Sequence, residues 1–284
     1  MVHSLQNQLV PVNKPVQCFH RYSREGWTAQ TFPYHRHNAY EILLFLRGDI
    51  HYYVEQACYY LSHGDMILIN PDELHRAVCF DEKIYERICF HIKQSVIDRL
   101  SSAKTNLLEC FESHPRGEKK IIHLNNEQIK QIVLIAHELE HCLANDGYGN
   151  DILADALTSQ LLVAINTSYQ GSAHQRVNIM PDLIREMMLC IKEHIDEPIY
   201  LEHLEKHFFL SGTYLSREFK KYTGLTLRSY ILEERITQSK ALLSEGKNVS
   251  EACYQSGFSD YSNFIRSFKK TVGISPGQYK KTVG

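Results

Sequence analysis

The stretch from Glu202 to Tyr279 is one unit written twice. Shifted by 49 residues, Glu202 falls on Glu251, Phe209 on Phe258, Arg217 on Arg266, Phe219 on Phe268 and Tyr230 on Tyr279, with no gap. Lys220–Lys221 meets Lys269–Lys270 and Gly224 meets Gly273. The apolar positions correspond too: Leu204 with Cys253, Leu215 with Phe264, Leu225 with Ile274. A repeat at a fixed offset constrains architecture more than any single motif, because each copy must build the same supersecondary unit.

That unit reads as helix-turn-helix. In the second copy Val249, Ala252 and Cys253 form the apolar face of a short helix, with Ser250 and Glu251 near its positive dipole end. Gly257 ends it, and Ser259 or Asp260 can cap the next helix. Phe264, Ile265 and Phe268 have buried spacing, Arg266, Lys269 and Lys270 face outward, and Gly273 and Pro276 mark the stop. In the first copy Leu201 and Leu204 pack, Phe208–Phe209 stands at the turn, and Ser211 caps. There Leu215 and Phe219 face in, Thr213, Ser216 and Arg217 face out, and Gly224 closes. Charge separates this reading from an ordinary helical hairpin repeat with solvated charges. From His203 onward there are 13 Lys+Arg against 7 Asp+Glu, a net of +6, while the rest of the chain carries −8. A basic end on an acidic body is the electrostatic footprint of a nucleic-acid-binding domain.

The segment Val249–Tyr279, VSEACYQSGFSDYSNFIRSFKKTVGISPGQY, resembles the signature of AraC/XylS-type transcription regulators over about 100 C-terminal residues. Its carriers are Gly257-Phe258-Ser259-Asp260, then Phe264, Arg266 and Phe268-Lys269-Lys270, then Gly273, Ser275-Pro276 and Tyr279. Cys253 stands where alanine is usual, and Phe208 fills the turn position of the first copy. The resemblance implies two helix-turn-helix units joined by one long helix, here roughly Leu227–Ser244. By position it assigns Gly212, Thr213, Ser216, Arg217 and Lys220 of the first copy to DNA, and Tyr261, Ser262, Ile265, Arg266 and Lys269 of the second. Arginine can bond guanine in bidentate fashion in the major groove; a phosphate contact or an intradomain ion pair is the other role open to Arg217 and Arg266. Lys220, Lys221, Lys269 and Lys270 suit phosphates or solvent.

A length of 284 residues suggests two domains. With 43% hydrophobic and 23% charged residues the composition is that of a soluble globular chain, and no apolar run reaches membrane-spanning length. The N-terminus lacks a secretory pattern. Eight cysteines occur singly, several inside apolar runs, and read as reduced core thiols of a cytoplasmic protein.

From about Cys18 to His91 the pattern is strand-like: Tyr40–Leu46, Ile50–Val54, Cys58–Leu61, Met66–Ile69 and Ile84–Ile92, punctuated by Arg47-Gly48-Asp49, His63-Gly64-Asp65 and Asn70-Pro71-Asp72. Many short strands without intervening helices indicate a β-sandwich or barrel. His35-x-His37-x-x-x-Glu41, Gly48, Gly64-Asp65 and Pro71-x-x-x-His75 resemble the two motifs of the cupin jelly roll over residues 20–92, although Glu73 stands where that motif has glycine. In metal-binding cupins the corresponding residues hold a divalent ion, and imidazole with carboxylate suits Zn²⁺, Fe²⁺ or Mn²⁺. Polar groups bonded at strand ends, or direct contact with an organic effector, are the other readings. The site favoured here is metal-free and without cofactor: His35, His37, Glu41 and His75, with Tyr22 and Trp27 on the chain leading in, contacting a sugar or related metabolite.

After His91 the period changes. Ser95–Cys110 looks helical, and Glu127–Leu143 and Asp151–Tyr169 carry apolar residues at helical spacing. Gln170–Asn178 reads as a linker, and Met180–Ile195 as the next helix. The expected fold is α+β: a cupin-like barrel or jelly roll with two flanking helices over residues 1–169, a linker at 170–178, and an all-α double helix-turn-helix domain over 179–284. The expected function is effector-responsive, sequence-specific transcription regulation and not catalysis. Its partners are double-stranded DNA, a small-molecule effector and a second copy of the chain. RNA polymerase is a further partner that the resemblance implies, and no membrane is involved. A metal-dependent cupin sensor or enzyme fused to the same DNA-binding half, or a regulator whose barrel only dimerises, are the alternatives.

Overall fold

The computed structural model describes residues 12–24, 35–79, 84–112, 121–171 and 179–283. They fold as two compact units. One holds Val12–Arg24 and Arg36–Ile179; the other holds Met180–Val283 together with His35.

The first unit contains eight strands among the described residues: β1 (Val16–Arg24), β2 (Tyr40–Arg47), β3 (Ile50–Val54), β4 (Ala57–Tyr60), β5 (Asp65–Ile69), β6 (His75–Cys79), β7 (Ile84–Ile92) and β8 (Ile122–His123). They form a five-stranded sheet in the order β1-β7-β2-β5-β8 and a three-stranded sheet in the order β4-β3-β6. Alternation divides the large sheet. Ile42, Leu44, Met66, Leu68, Ile88 and Phe90 face a core completed by helices. Leu43, Phe45, Ile67, Ile69 and Cys89 face the small sheet and meet Tyr52 and Tyr59. Glu41 and His91, directly opposed across β2 and β7, share this inner face.

The covering helices are α1 (Gln94–Leu100), α2 (Glu109–Glu112), α3 (Asn126–Ala144) and α4 (Asn150–Gly171). A capping box on Asn125 and Gln128 starts α3, and Ile129, Ile132, Ile135, Ala136 and Leu139 bury its inner stripe. The expected Ser95–Cys110 helix is two. It stops at Ser101, whose N–H still bonds the Ile97 carbonyl while the next N–H, of Ser102, turns to the carbonyl of Thr105; the Ser101 Oγ adds a bond to the Ile97 carbonyl and accepts from the N–H of Leu107. Gln170, expected in the linker, still belongs to α4; residues 172–178 lie outside the described residues. The two-residue β8 was not anticipated. It joins the sheet by pairing with Asp65 and Met66.

The second unit is helical: α5 (Asp182–Glu193), α6 (Leu201–Phe208), α7 (Gly212–Thr223), α8 (Leu227–Ser244), α9 (Val249–Gln255), α10 (Tyr261–Val272) and α11 (Pro276–Val283). The repeat is visible in three dimensions. Phe219 packs on Tyr230 with centroids 5.3 Å apart, and Phe268 packs on Tyr279 at 5.7 Å. Ser211 caps α7 and Asp260 caps α10. Gly224 and Gly273 end these helices in the left-handed conformation. The expected helix from Leu227 to Ser244 is α8.

Candidate nucleic-acid interface and buried sensor-domain cluster

The second helix of each copy presents the residues expected to read DNA. On α7, Thr213, Arg217 and Lys220 are exposed and Ser216 is half-buried; on α10, Tyr261, Ser262, Arg266 and Lys269 are exposed and Ile265 is half-buried. Gly212 differs: it is buried at the start of α7, where its N–H donates to Glu205. An added Cβ there would come within 2.6 Å of Leu201, so this glycine is required by packing against α6. The arginines also differ. Arg217 lies over the Tyr214 ring, 5.3 Å from its centroid, and its Nε is 3.4 Å from Glu218. Among the described residues Arg266 makes no hydrogen bond or ion pair. Tyr214 and Glu218, which the sequence reading left out, are therefore the local partners of the first copy's arginine.

Arg235 of α8 ties the domain together. Its guanidinium donates to the carbonyls of Ile195 at 3.2 Å and Glu197 at 2.7 Å, and burial pulls its pKa down. Gly257 sits against the same carbonyl with φ +84°; a Cβ there would lie 2.1 Å from the Ile195 oxygen. An open cleft of about 1260 Å³ runs between the two copies, bordered by Ser216, Arg217, Lys220, Arg228, Asn263 and Ser267 over an apolar floor that includes Leu227 and Ile231.

In the first unit the structure converges three histidines on one carboxylate oxygen. Oε2 of Glu41 lies 2.6 Å from Nε2 of His37, 3.1 Å from Nε2 of His75 and 3.3 Å from Nε2 of His91. The His37 ring contacts those of His75 and His91 with centroids 4.9 and 4.7 Å apart. Burial alone pushes the Glu41 pKa up, but the three imidazoles more than offset it and hold the carboxyl well below its usual range. The Glu41 side chain is 5% exposed, His37 2% and His75 0%. Glu41 opens β2, His75 opens β6 and His91 lies near the end of β7, so strand ends from both sheets build the cluster.

Of the six expected effector residues, His37, Glu41 and His75 stand together, and the ligand atoms of His35, Glu41 and His75 also lie within 4.8 Å of one another. Tyr22 is exposed and shares the β1 face of Cys18, which packs under α3, opposite the face of Glu41. Trp27 lies outside the described residues. His91 was missed because it sits inside an apolar strand run; only its pairing with Glu41 reveals it. All eight cysteines are free, and burial raises Cys18, Cys58 and Cys110 to about 12, so these thiols stay protonated.

A basic helix-turn-helix repeat and a two-sheet β unit on one chain are the architecture of a one-chain transcription regulator. The sequence model of the AraC-like ligand binding domain matches residues 20–162, and that of a helix-turn-helix domain matches residues 204–282. The chain belongs to the AraC family of transcription regulators. It is similar to the HTH-type transcriptional regulator YfiF of Bacillus subtilis, at 24% identity over 89% of this chain and 82% of the relative. The HTH-type transcriptional activator RhaR of Klebsiella pneumoniae is 22% identical over 90% of both chains. The activator RhaS of Yersinia pestis is 25% identical over 86% of this chain and 88% of the relative. Among solved structures, apo ToxT from Vibrio cholerae aligns over 98% of this chain and 100% of its own, at 15% identity and a TM-score of 0.40. The C-terminal domain of the response regulator AraT from Geobacillus stearothermophilus aligns over 37% of this chain and 88% of its own, at 25% identity and a TM-score of 0.36.

Proposed function

We propose that this regulator reads a bipartite promoter sequence, with α7 and α10 in successive major-groove segments on one face of the duplex. The observation that carries this reading is the pair of matched, solvent-facing rows on those helices, Thr213–Arg217–Lys220 and Ser262–Arg266–Lys269, each held by the same aromatic pair beneath. Arg266, bonded to nothing else among the described residues, reads a base; the lysines contact phosphates. Selection of bound duplexes from a random library tests this. The expected result is a motif of two elements about 10 base pairs apart. Binding should also weaken steeply with salt, each neutralised phosphate contributing about 0.9 to the logarithmic slope. A library that yields no motif, or a flat salt response, would sink the proposal.

The protein acts in the cytoplasm as an activator, as RhaR and RhaS are named, with RNA polymerase as its downstream partner. It is controlled by a small organic metabolite of the sugar class sensed in the N-terminal unit. The unit's aromatic content supports this class. His37, Glu41 and His75 would meet such a molecule only after the barrel opens, since they are buried and bonded to one another. A thermal-shift panel of sugars, sugar phosphates and aromatic acids checks it; stabilisation by none of them removes the metabolite reading. Dimerisation through α3 and α4 is supported by the exposed apolar side chains of Leu134, Ile152, Leu153 and Val163. Replacing Leu134 and Val163 with Lys should convert dimer to monomer in sedimentation; an unchanged sedimentation coefficient would move the interface elsewhere.

A further inference from the structure

We propose that Arg228, at the start of α8, enters the minor groove between the two major-groove segments and makes this regulator select A·T-rich spacers. This rests on the bipartite reading above and adds to it a third element, read by shape. On one face of a B-form duplex a minor groove lies between successive major-groove segments. With α7 and α10 in those segments, that groove faces the cleft between the two copies, because Ser216, Arg217 and Lys220 of α7 and Asn263 and Ser267 of α10 border it.

The charge of the cleft fits DNA as its occupant. From Asp182 to Val283 the chain carries 15 Lys+Arg and 13 Asp+Glu, close to balance. The described residues that line the cleft nevertheless include Arg217, Lys220, Arg228 and Arg235 and no Asp or Glu. A concave surface of one sign focuses its field on a polyanion. Arg228, Ile231, Leu232 and Arg235 recur at i, i+3, i+4 and i+7, so one stripe of α8 lines it. The two arginines of that stripe differ. Arg235 donates to the carbonyls of Ile195 and Glu197 and serves the fold. Arg228 is exposed and, among the described residues, has no hydrogen bond, ion pair or ring contact. A guanidinium is more weakly hydrated than an ammonium, so it enters a groove at lower cost. Narrow A·T tracts concentrate the negative potential that attracts it. The minor groove separates A·T from G·C and little else, so the selection falls on spacer composition and not on a defined spacer sequence.

The test is duplex selection by the full-length chain from a library with a randomised spacer, followed by titration of the selected duplex and of its G·C-spacer counterpart. Wild type should enrich A·T in the spacer and bind that duplex about tenfold more tightly than the counterpart. R228A should keep both flanking elements, lose the spacer preference, and lower the logarithmic salt slope by about 0.9. R228K should restore the salt slope and only part of the preference. Neither variant should move the thermal midpoint, since the side chain has no local contacts; a lowered midpoint in both would make Arg228 a structural residue and overturn the proposal. Flanking elements with a flat spacer in wild type would overturn the role of Arg228 and leave the bipartite reading standing, whereas no flanking elements at all would overturn both. Equal losses by R228A on A·T and G·C spacers would reduce it to a phosphate contact. Displacement of the duplex by decanoate from wild type but not from R228A would give the cleft to an amphipathic organic anion instead.

Discussion

In the second helix-turn-helix copy the residue after the turn, Phe258, is buried and packs on Phe264 with centroids 5.0 Å apart. Its counterpart in the first copy, Phe209, is 91% exposed and itself takes the left-handed conformation, φ 55°. The repeat places Phe208 opposite Gly257, yet the positive φ falls one residue later. Both copies thus reverse the chain between two helices, one with a glycine wedged against a carbonyl and the other with a strained aromatic in solvent. A duplicated template therefore preserves what the core demands, the Phe219–Tyr230 and Phe268–Tyr279 pairs, and lets the turn drift where packing does not depend on it. The same holds on the outer face: Arg266 is free of local partners among the described residues, and Arg217 is held by Tyr214 and Glu218.

Removing what the copies share should cost most. Phe219→Ala and Phe268→Ala each delete a fully buried ring and should destabilise by about 3–5 kcal/mol, read by denaturant unfolding. A large difference between the two would break the claim that the cores are equivalent. Gly257→Ala comes next. The left-handed backbone and the approach to the Ile195 carbonyl should together cost at least about 2 kcal/mol; a loss under half that would mean the turn relaxes freely. Arg266→Ala should then weaken a selected duplex by about 1–3 kcal/mol and relax its sequence preference, with Arg217→Ala costing less. If Arg266→Ala weakens selected and random DNA alike, that residue is a phosphate contact, and the contrast between the arginines disappears.

How legible this was depended on whether a feature is local. The 49-residue register, the glycine caps and the aromatic spacing are properties of neighbouring residues, and α7, α8 and α10 follow from them within a residue or two. Strands β2, β3, β4, β5 and β7 were legible for the same reason, since alternation and turn residues are short-range, whereas β6 (His75–Cys79) matched none of the expected runs. The buried cluster was not. Glu41 and His91 are 50 positions apart and meet only through the β2–β7 register. Tyr22 was misjudged because proximity in sequence to His37 says nothing about which face of β1 it occupies. The break at Ser101 was missed because helix periodicity continues through it, and the helix ends where the Ser102 N–H pairs with Thr105 and the Ser101 hydroxyl bonds Leu107.

Phe209→Gly should have the smallest effect and the opposite sign. A left-handed non-glycine residue costs about 1 kcal/mol or more, and glycine adopts that conformation without strain. Little burial is lost, because the ring is almost wholly in solvent. Against this, glycine widens the unfolded ensemble by up to about 1 kcal/mol, so the net gain should be a few tenths of a kcal/mol, seen as a small rise in the denaturant midpoint with unchanged slope. A loss above about 1 kcal/mol would mean that the ring holds α6 and α7 together. The first turn would then be as constrained as the second, with the aromatic doing by contact what Gly257 does by fit.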